Sequence, residues 1–373
     1  MNFAFDADQE EFRRTLRRFL EQRSPLTATR ELMETERPYS PEVWRQASEQ
    51  LGLPGLIIDE EYGGQGFSYL ELVIACEELG RVLSGMPYLS TMSAVLAIQA
   101  AASPSQCKEL LPGLASGERT ATLATAEPGQ GWGPDGITTV AEGDGPAVRL
   151  RGRKSYVIDG DSADVLVVAA RRPGTSGEDG IVLVALDGGA AGVRRRALEA
   201  IDQTRRLAEL DLDGATGQVL EQGSWPVLAR VLDRVEVALA AEMVGGARRC
   251  LERAVDYAKQ RHQFGRAIGS FQAIKHLCAD MLVEVESASA AVYYAAWAAD
   301  EDNDELPVVA PLAKAYASQA YFFAASESLH VHGGIGFTWA DDSHLYFKRA
   351  KASELMYGDA MANKELMATR LGL

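Results

Sequence analysis

The chain has 373 residues, 47% of them apolar, which is enough for two or three separately cored domains and excludes disorder as its main state. Its 37 Lys and Arg against 53 Asp and Glu give a net charge of −16. Nucleic acid and anionic membrane surfaces are therefore repelled at long range, and any anionic ligand must be met by a local cluster of donors or cations.

The opening residues MNFAFDADQEEF lack the basic-then-apolar order of a secretory signal, and no uncharged apolar run reaches the ~18 residues of a spanning helix. The chain reads as cytoplasmic. Cys76, Cys107, Cys250 and Cys278 are far apart and form no CxxC pair, as expected of ordinary thiols in a reducing compartment.

Asp6 and Gln9 stand at capping-box spacing, and Phe12, Leu16, Phe19 and Leu20 then share one helical face, so an amphipathic helix opens the chain. Helical periodicity covers Pro41 to Leu51, Tyr69 to Leu83 and Thr91 to Leu114, separated by loops such as Glu61 to Gly66 (EYGGQG). Residues 1–116 read as an all-helical first domain. Short β-rich runs follow (Thr120 to Thr125, Val165 to Ala170, Ile181 to Leu186), alternating with Asp-Gly pairs at 159–160, 179–180, 187–188 and 213–214. This texture predicts a small antiparallel barrel or sandwich over 117–223. From Trp225 the helical period returns, with Leu228, Val231, Leu232, Val235 and Leu239 on one side, then Phe271, Ile274, Cys278, Met281 and Val285 on another. A four-helix bundle over 224–373 is expected, in an α+β chain. Fold order alone names no function.

Two stretches carry chemistry. In Tyr257 to His276, YAKQRHQFGRAIGSFQAIKH, Arg261 offers a guanidinium fork for phosphate, Phe264 a flat face for a ring, and Gly265 a close backbone turn. The same residues also fit a helix C-terminus with a cation in its last turn and a C′ glycine. In His330 to Gly336, HVHGGIG, bare glycine amides can approach an anion such as a pyrophosphate, or simply stop a helix. His330, His332 and His344 are joined by no carboxylate or cysteine at a recognised ligand spacing, so no metal site is assigned.

Together, in a helix, β, helix chain of this length, these stretches resemble the two flavin-binding signatures of the acyl-CoA dehydrogenases. The family's Arg-x-Gln-Phe-Gly is matched in full by Arg261 to Gly265, and its following Phe-Gln by Phe271 and Gln272. Its Gln-x-x-Gly-Gly-x-Gly is matched by His330 to Gly336, with His for Gln, and Glu127-Pro128-Gly129 matches a turn in its β-domain. The resemblance covers essentially the whole chain. It implies an FAD shared between two subunits, one holding the reactive ring and the acyl-CoA, the other the adenine and diphosphate. By that resemblance Arg261, Gln263, Phe264, Gln272, His330, Gly333 and Gly334 reach a neighbour's FAD.

The family's own ring site is not reproduced. Ala126 replaces a Thr before the Glu-Pro-Gly turn, and Tyr156, Val157 and Ile158 align with Trp-Ile-Thr/Ser, which removes a second donor to the flavin. Gly131, Trp132 and Gly133 occupy the region of a CoA-contacting Ser. The catalytic carboxylate aligns with Tyr357, and its alternative location with Val235. Tyrosine, with a reference pKa of about 10, is a poor base at neutral pH, and valine is none. Glu236 and Asp359 are the remaining candidate bases, each also readable as a solvated or capping carboxylate.

The expectation is thus a subunit of a FAD-dependent acyl-CoA dehydrogenase that completes a partner's site in an α2β2 hetero-oligomer. Its own catalytic residues are unassigned. Some family members of bacteria that degrade steroid side chains are built this way, and GGIGFTWADDSHLYFKRAK most resembles theirs, which points to a steroid side-chain CoA substrate. The alternatives are a self-sufficient homo-oligomer using Glu236 or Asp359, and a non-catalytic scaffold or CoA-binding protein.

Overall fold

A computed structural model describes residues 5–373. Helices α1 (Ala7–Arg23), α2 (Leu26–Leu32), α3 (Pro41–Leu51), α4 (Tyr69–Arg81), α5 (Tyr88–Ala101) and α6 (Pro104–Ala115) come first. Strands β1 (Ala121–Ala124), β2 (Val140–Glu142), β3 (Ala147–Ile158), β4 (Val165–Arg171), β5 (Ile181–Asp187), β6 (Val193–Ala197) and β7 (Leu207–Val219) follow. Then come α7 (Trp225–Gln260), the two-residue strands β8 (His262–Gln263) and β9 (Arg266–Ala267), α8 (Gln272–Asp300), α9 (Leu306–His332), α10 (Ser343–Leu355) and α11 (Ala360–Arg370). Among the described residues no helix is long and apolar enough to cross a membrane.

The capping box forms, with the Asp6 carboxylate accepting from Gln9 N at 2.8 Å and the Gln9 side chain from Asp6 N at 3.1 Å. Leu16, Phe19 and Leu20 are the buried stripe of α1. The apolar run from Thr91 to Leu114 is two helices rather than one. Pro104 cannot continue α5 and instead starts α6 behind its Ser103 cap, a position where the N–H it lacks would have no helical partner.

By internal contact the chain divides into two compact units. One comprises residues up to Thr29, Tyr69–Ser84 and Glu236–Leu373, the other Arg30–Ser68 and Gly85–Val235.

In the first unit α4 crosses α7 backbone to backbone. A Cβ on Gly80 would lie 2.0 Å from the Glu242 carbonyl oxygen, and one on Gly245 1.9 Å from that of Glu77. Gly246 likewise makes room for the Tyr321 ring of α9, 2.4 Å from where its Cβ would stand. So tight a crossing buries the α4 carboxylates Glu77 and Glu78 almost completely, and buried charges require partners. Arg13 reaches Glu77 at 2.9 Å and the Tyr293 hydroxyl donates to it at 2.7 Å. Arg17 forks onto Glu78 at 2.6 and 2.8 Å, while Arg81 forks onto Glu252 of α7 at 2.8 Å through both nitrogens. Helices α1, α7 and α8 are thereby registered on α4.

In the second unit the seven strands run β1-β4-β2-β3-β7-β5, with β5 also pairing β4 and β6 pairing β7. The circuit from β4 round to β5 closes on itself about a core that includes Leu150, Leu166, Val168, Val184 and Leu210. The turn texture predicted antiparallel pairing throughout, but β1 and β2 both run parallel to β4. Neither is joined to β4 by a hairpin, which frees their direction. Asp213-Gly214 is not a turn either. It lies inside β7, where Leu150 pairs with Ala215 and Arg151 with Asp213. Gly214, at φ +77°, is the extra residue of a bulge.

The Glu127-Pro128-Gly129 turn is held by a buried ion pair. Glu127 accepts from Lys154 Nζ at 2.6 Å, Thr138 N at 3.0 Å, Thr139 N at 2.8 Å and the Thr138 hydroxyl. Lys154, wholly buried, also donates to the Thr125 carbonyl at 3.1 Å. Burial alone would push the Glu127 carboxyl up, but Lys154 and the Thr donors hold it below its ordinary value. Burial pushes the Lys154 ammonium down to about 8 against the pull of Glu127.

Two outcomes are expected. Gly245→Ala should cost about 1–3 kcal/mol, because the added methyl has only backbone to displace, whereas Gly131→Ala, with open space around it, should stay within about 0.5 kcal/mol; urea unfolding measures both. Lys154→Met should cost about 3–5 kcal/mol at neutral pH by stranding the Glu127 charge. Because Glu127 is depressed in the native protein, its stabilisation is present above the unfolded carboxyl pKa and is lost as pH falls. In the variant the carboxyl rises instead, so the deficit shrinks toward about pH 5, and Glu127→Gln added to Lys154→Met should recover part of it.

Candidate active site

The Arg261 to Gly265 stretch is not a helix C-cap glycine. Helix α7 ends at Gln260, and β8 and β9 pair His262 with Ala267 and Gln263 with Arg266, leaving Phe264 and Gly265 as a two-residue hairpin tip. Both tip residues are left-handed, at φ +51° and +79°, as a type I′ turn requires. For phenylalanine that conformation costs about 1–2 kcal/mol, and the residue is 91% exposed. The ring meets Phe271 edge-on at 6.2 Å, and the Arg266 guanidinium covers Phe271 at 4.0 Å. Arg261, Gln263 and Gln272 are exposed beside it.

The second stretch ends α9. Gly333 takes φ +66°, and a Cβ on Gly333 or Gly334 would meet nothing within 4 Å, so both backbones face open space that a ligand can enter. His330 is exposed, its Nδ1 3.1 Å from the Glu327 carboxylate one turn back. Two links join this turn to the end of α7: Tyr257 stacks on His332 at 4.3 Å, and Arg253 pairs with Asp341 at 3.1 Å and Asp342 at 3.4 Å. The two signatures, about 70 residues apart in sequence, are therefore tethered within one unit. Tyr257 and Arg253 were not singled out from the sequence; their helical spacing of four, one turn before Arg261, was the available signal.

Of the residues that the resemblance aligns with the family's flavin-ring contacts, two are aliphatic and packed and one is not. Ala126 and Ile158 are both buried, and the Ile158 carbonyl accepts from the Thr122 hydroxyl at 2.7 Å. Tyr156 sits at an irregularity of β3, left-handed at φ +57° and half-exposed. A cleft of about 460 Å³ beside the turn is lined by Glu127, Gln130, Thr138, Arg153 and Arg194 among others.

Val235, which with Tyr357 aligned with the family's base in the sequence, is fully buried on α7, and Tyr357 is nearly buried and left-handed at φ +56°. Glu236, also buried, and Asp359 share a neighbour that sequence reading missed. Lys314 of α9 is entirely buried and donates to the Ser318 hydroxyl at 3.1 Å and to the carbonyls of Glu354 and Gly358 at 3.2 and 3.3 Å. Burial drives its ammonium down to about 8, while Glu236, Glu354 and Asp359 pull it up. A lone lysine in the apolar run VVAPLAKAYA was its signal. Asp359 itself caps α11, accepting from Ala362 N at 2.9 Å. His344 packs edge-on against Trp339. No cluster of three metal-ligating side chains occurs among the described residues.

Family profiles match nearly the whole chain: the N-terminal domain of the acyl-CoA dehydrogenases over residues 6–118, the middle domain over 122–214 and the C-terminal domain over 223–372. The chain is 35% identical to acyl-CoA dehydrogenase IpdE2 of Mycobacterium tuberculosis over 346 residues, 93% of this chain and 92% of that one. Among solved structures it superposes on a chain of the ChsE4-ChsE5 complex from Mycobacterium tuberculosis with a TM-score of 0.91 and 27% identity, covering 100% and 99% of the two chains. It also matches a single-residue variant of the Tcur3481-Tcur3483 steroid ACAD with a TM-score of 0.89 and 29% identity, covering 98% of each. The chain belongs to the acyl-CoA dehydrogenase family of flavin-dependent oxidoreductases that act on acyl-CoA.

Proposed function

We propose that this chain is the FAD-gripping, non-catalytic-type subunit of a hetero-oligomeric acyl-CoA dehydrogenase. Its exposed hairpin and glycine turn complete the cofactor site of a homologous partner. The observation that carries the reading is Phe264: a strained, solvent-facing phenyl ring at the tip of a two-residue hairpin costs folding energy that is offset only when something covers it. Arg261 would donate to the diphosphate oxygens, with the Gly334 amide approaching the same group and Gly333, whose own N–H caps α9, leaving room for that approach; Gln263, Gln272 and His330 would supply further polar contacts, and Phe264 would lie against the adenosine end. FAD, when bound, takes the hydride in α,β-dehydrogenation of the thioester. The proton acceptor belongs to the partner in this reading, because Val235 and Tyr357 stand at the base positions and Asp359 is engaged in a helix cap.

Two of the matched structures are described as pairs, ChsE4-ChsE5 and Tcur3481-Tcur3483, and the second as a steroid ACAD. That supports an α2β2 assembly and a steroid side-chain CoA as substrate for this chain too.

The lone chain should purify colourless, and the chain co-expressed with its partner should carry about one flavin per two chains, as read by visible absorbance. In that complex Arg261→Gln should weaken flavin retention by about tenfold, the worth of one charge-assisted contact. Full flavin on the lone chain, with turnover abolished by Glu236→Gln or Asp359→Asn, would replace this reading with a self-sufficient homo-oligomer. Absence of flavin from every pair would leave a scaffold.

A further inference from the structure

The second unit contains an open cleft of about 980 Å³ lined in part by Arg37, Tyr39, Ser40, Asp161, Arg195 and Arg206, and none of the flavin-signature residues borders it. On a chain of net charge −16 its balance is reversed: its charged lining is three guanidiniums against the carboxylates of Glu36 and Asp161. Only one of those guanidiniums is neutralised directly. Arg206 Nε pairs with Asp161 at 3.3 Å, and its Nη2 is occupied by the Glu36 backbone carbonyl at 2.9 Å. Among the described residues neither Arg37 nor Arg195 stands in an ion pair within 4.0 Å.

Arg195 is also built in. Its guanidinium lies over Gly188, where a Cβ would stand 1.7 Å from Nη2, and Nη1 donates to the Asp161 carbonyl at 3.4 Å. Asp164, Asp187 and Asp161 all face it, yet burial outweighs them and pushes the group below its ordinary value. A half-buried cation that has lost water and holds no direct ion pair can still be stabilised by an anion that reaches its free donors. The N-terminus of α3 opens on the same space, with its Ser40 cap and Pro41 in the lining, and adds positive potential.

We propose that this cleft is a binding site for a phosphate-bearing small molecule of up to nucleotide size, with Arg37 and Arg195 as its anion-recognising residues and Arg206, fixed by Asp161 and Glu36, as a supporting cation. The volume exceeds what a single inorganic phosphate fills, and falls at the upper end of ordinary small-molecule clefts. Forked donors favour the planar pairs of oxygens that phosphates present.

The test is isothermal titration calorimetry of the full chain, alone and in its co-purified complex, in phosphate-free buffer, with inorganic pyrophosphate and ADP as probes. Saturable binding that weakens with added salt is expected, reduced about tenfold or more by Arg195→Gln and by Arg37→Gln, and unaffected by Arg261→Gln. Arg37 is exposed, so its variant reads the site without disturbing the fold. Binding of both probes identifies the diphosphate as the recognised group, and binding of ADP alone adds the nucleoside to it. Absence of saturable binding by either probe, binding indifferent to both cleft variants, or binding lost only in Arg261→Gln would each overturn the assignment.

Discussion

The first unit depends on one steric constraint, the contact of α4 and α7 at Gly80 and Gly245. Each glycine sits against a carbonyl of the opposite helix, Glu242 in one case and Glu77 in the other, so the contact is reciprocal and leaves no slack for sliding. A crossing this close brings Glu77 and Glu78 into the interior, and Arg13 and Arg17 of α1, Arg81 of α4 and Arg248 of α7 answer them. Buried pairs of this kind add little net stability over an apolar replacement, but they penalise every arrangement in which one charge loses its partner. Glycine contact and charge pairing therefore act together: the first sets how near the helices come, the second sets their register.

That register is transmitted along α7. The helix is 36 residues long, about 54 Å at 1.5 Å per residue, and its last turns carry Arg253 and Tyr257. Those residues hold the α9 turn through Asp341, Asp342 and the His332 ring. The hairpin bearing Arg261 and Phe264 begins one residue after the helix ends. Its position follows from helix packing, and the Tyr257–His332 stack helps decide where the two candidate stretches are presented.

Helix identity was legible wherever one signal dominated. Asp6 with Gln9 marked the start of α1, and the apolar stripe from Leu228 to Leu239 marked α7. Strands β3 and β7 were not legible, because in AVRLRGRKSYVI charged residues alternate with buried ones and look like a polar loop when read for apolar runs. The parallel course of β1 and the bulge at Gly214 depend on long-range pairing, which local turn chemistry does not encode. The same division holds for the site. Arg261, Phe264 and the Gly333-Gly334 pair stood out as a linear pattern, whereas Lys154 and Lys314 depend on partners 27 to 44 residues away.

The contrast between the two halves of the candidate site is energetic. Ala126 and Ile158 pack into the β unit as ordinary core residues, and Glu127, buried one residue from Ala126, is fully engaged by Lys154 and two threonines. Folding alone accounts for every one of them. The hairpin tip is the opposite case: Phe264 carries a left-handed backbone and is exposed, and Gly333 and Gly334 have open space where a Cβ would stand. Backbone strain of this kind clusters at ligand sites. On that criterion the unexplained cost lies in the surface the chain presents outward, which is where a subunit that serves a neighbour's cofactor would place it.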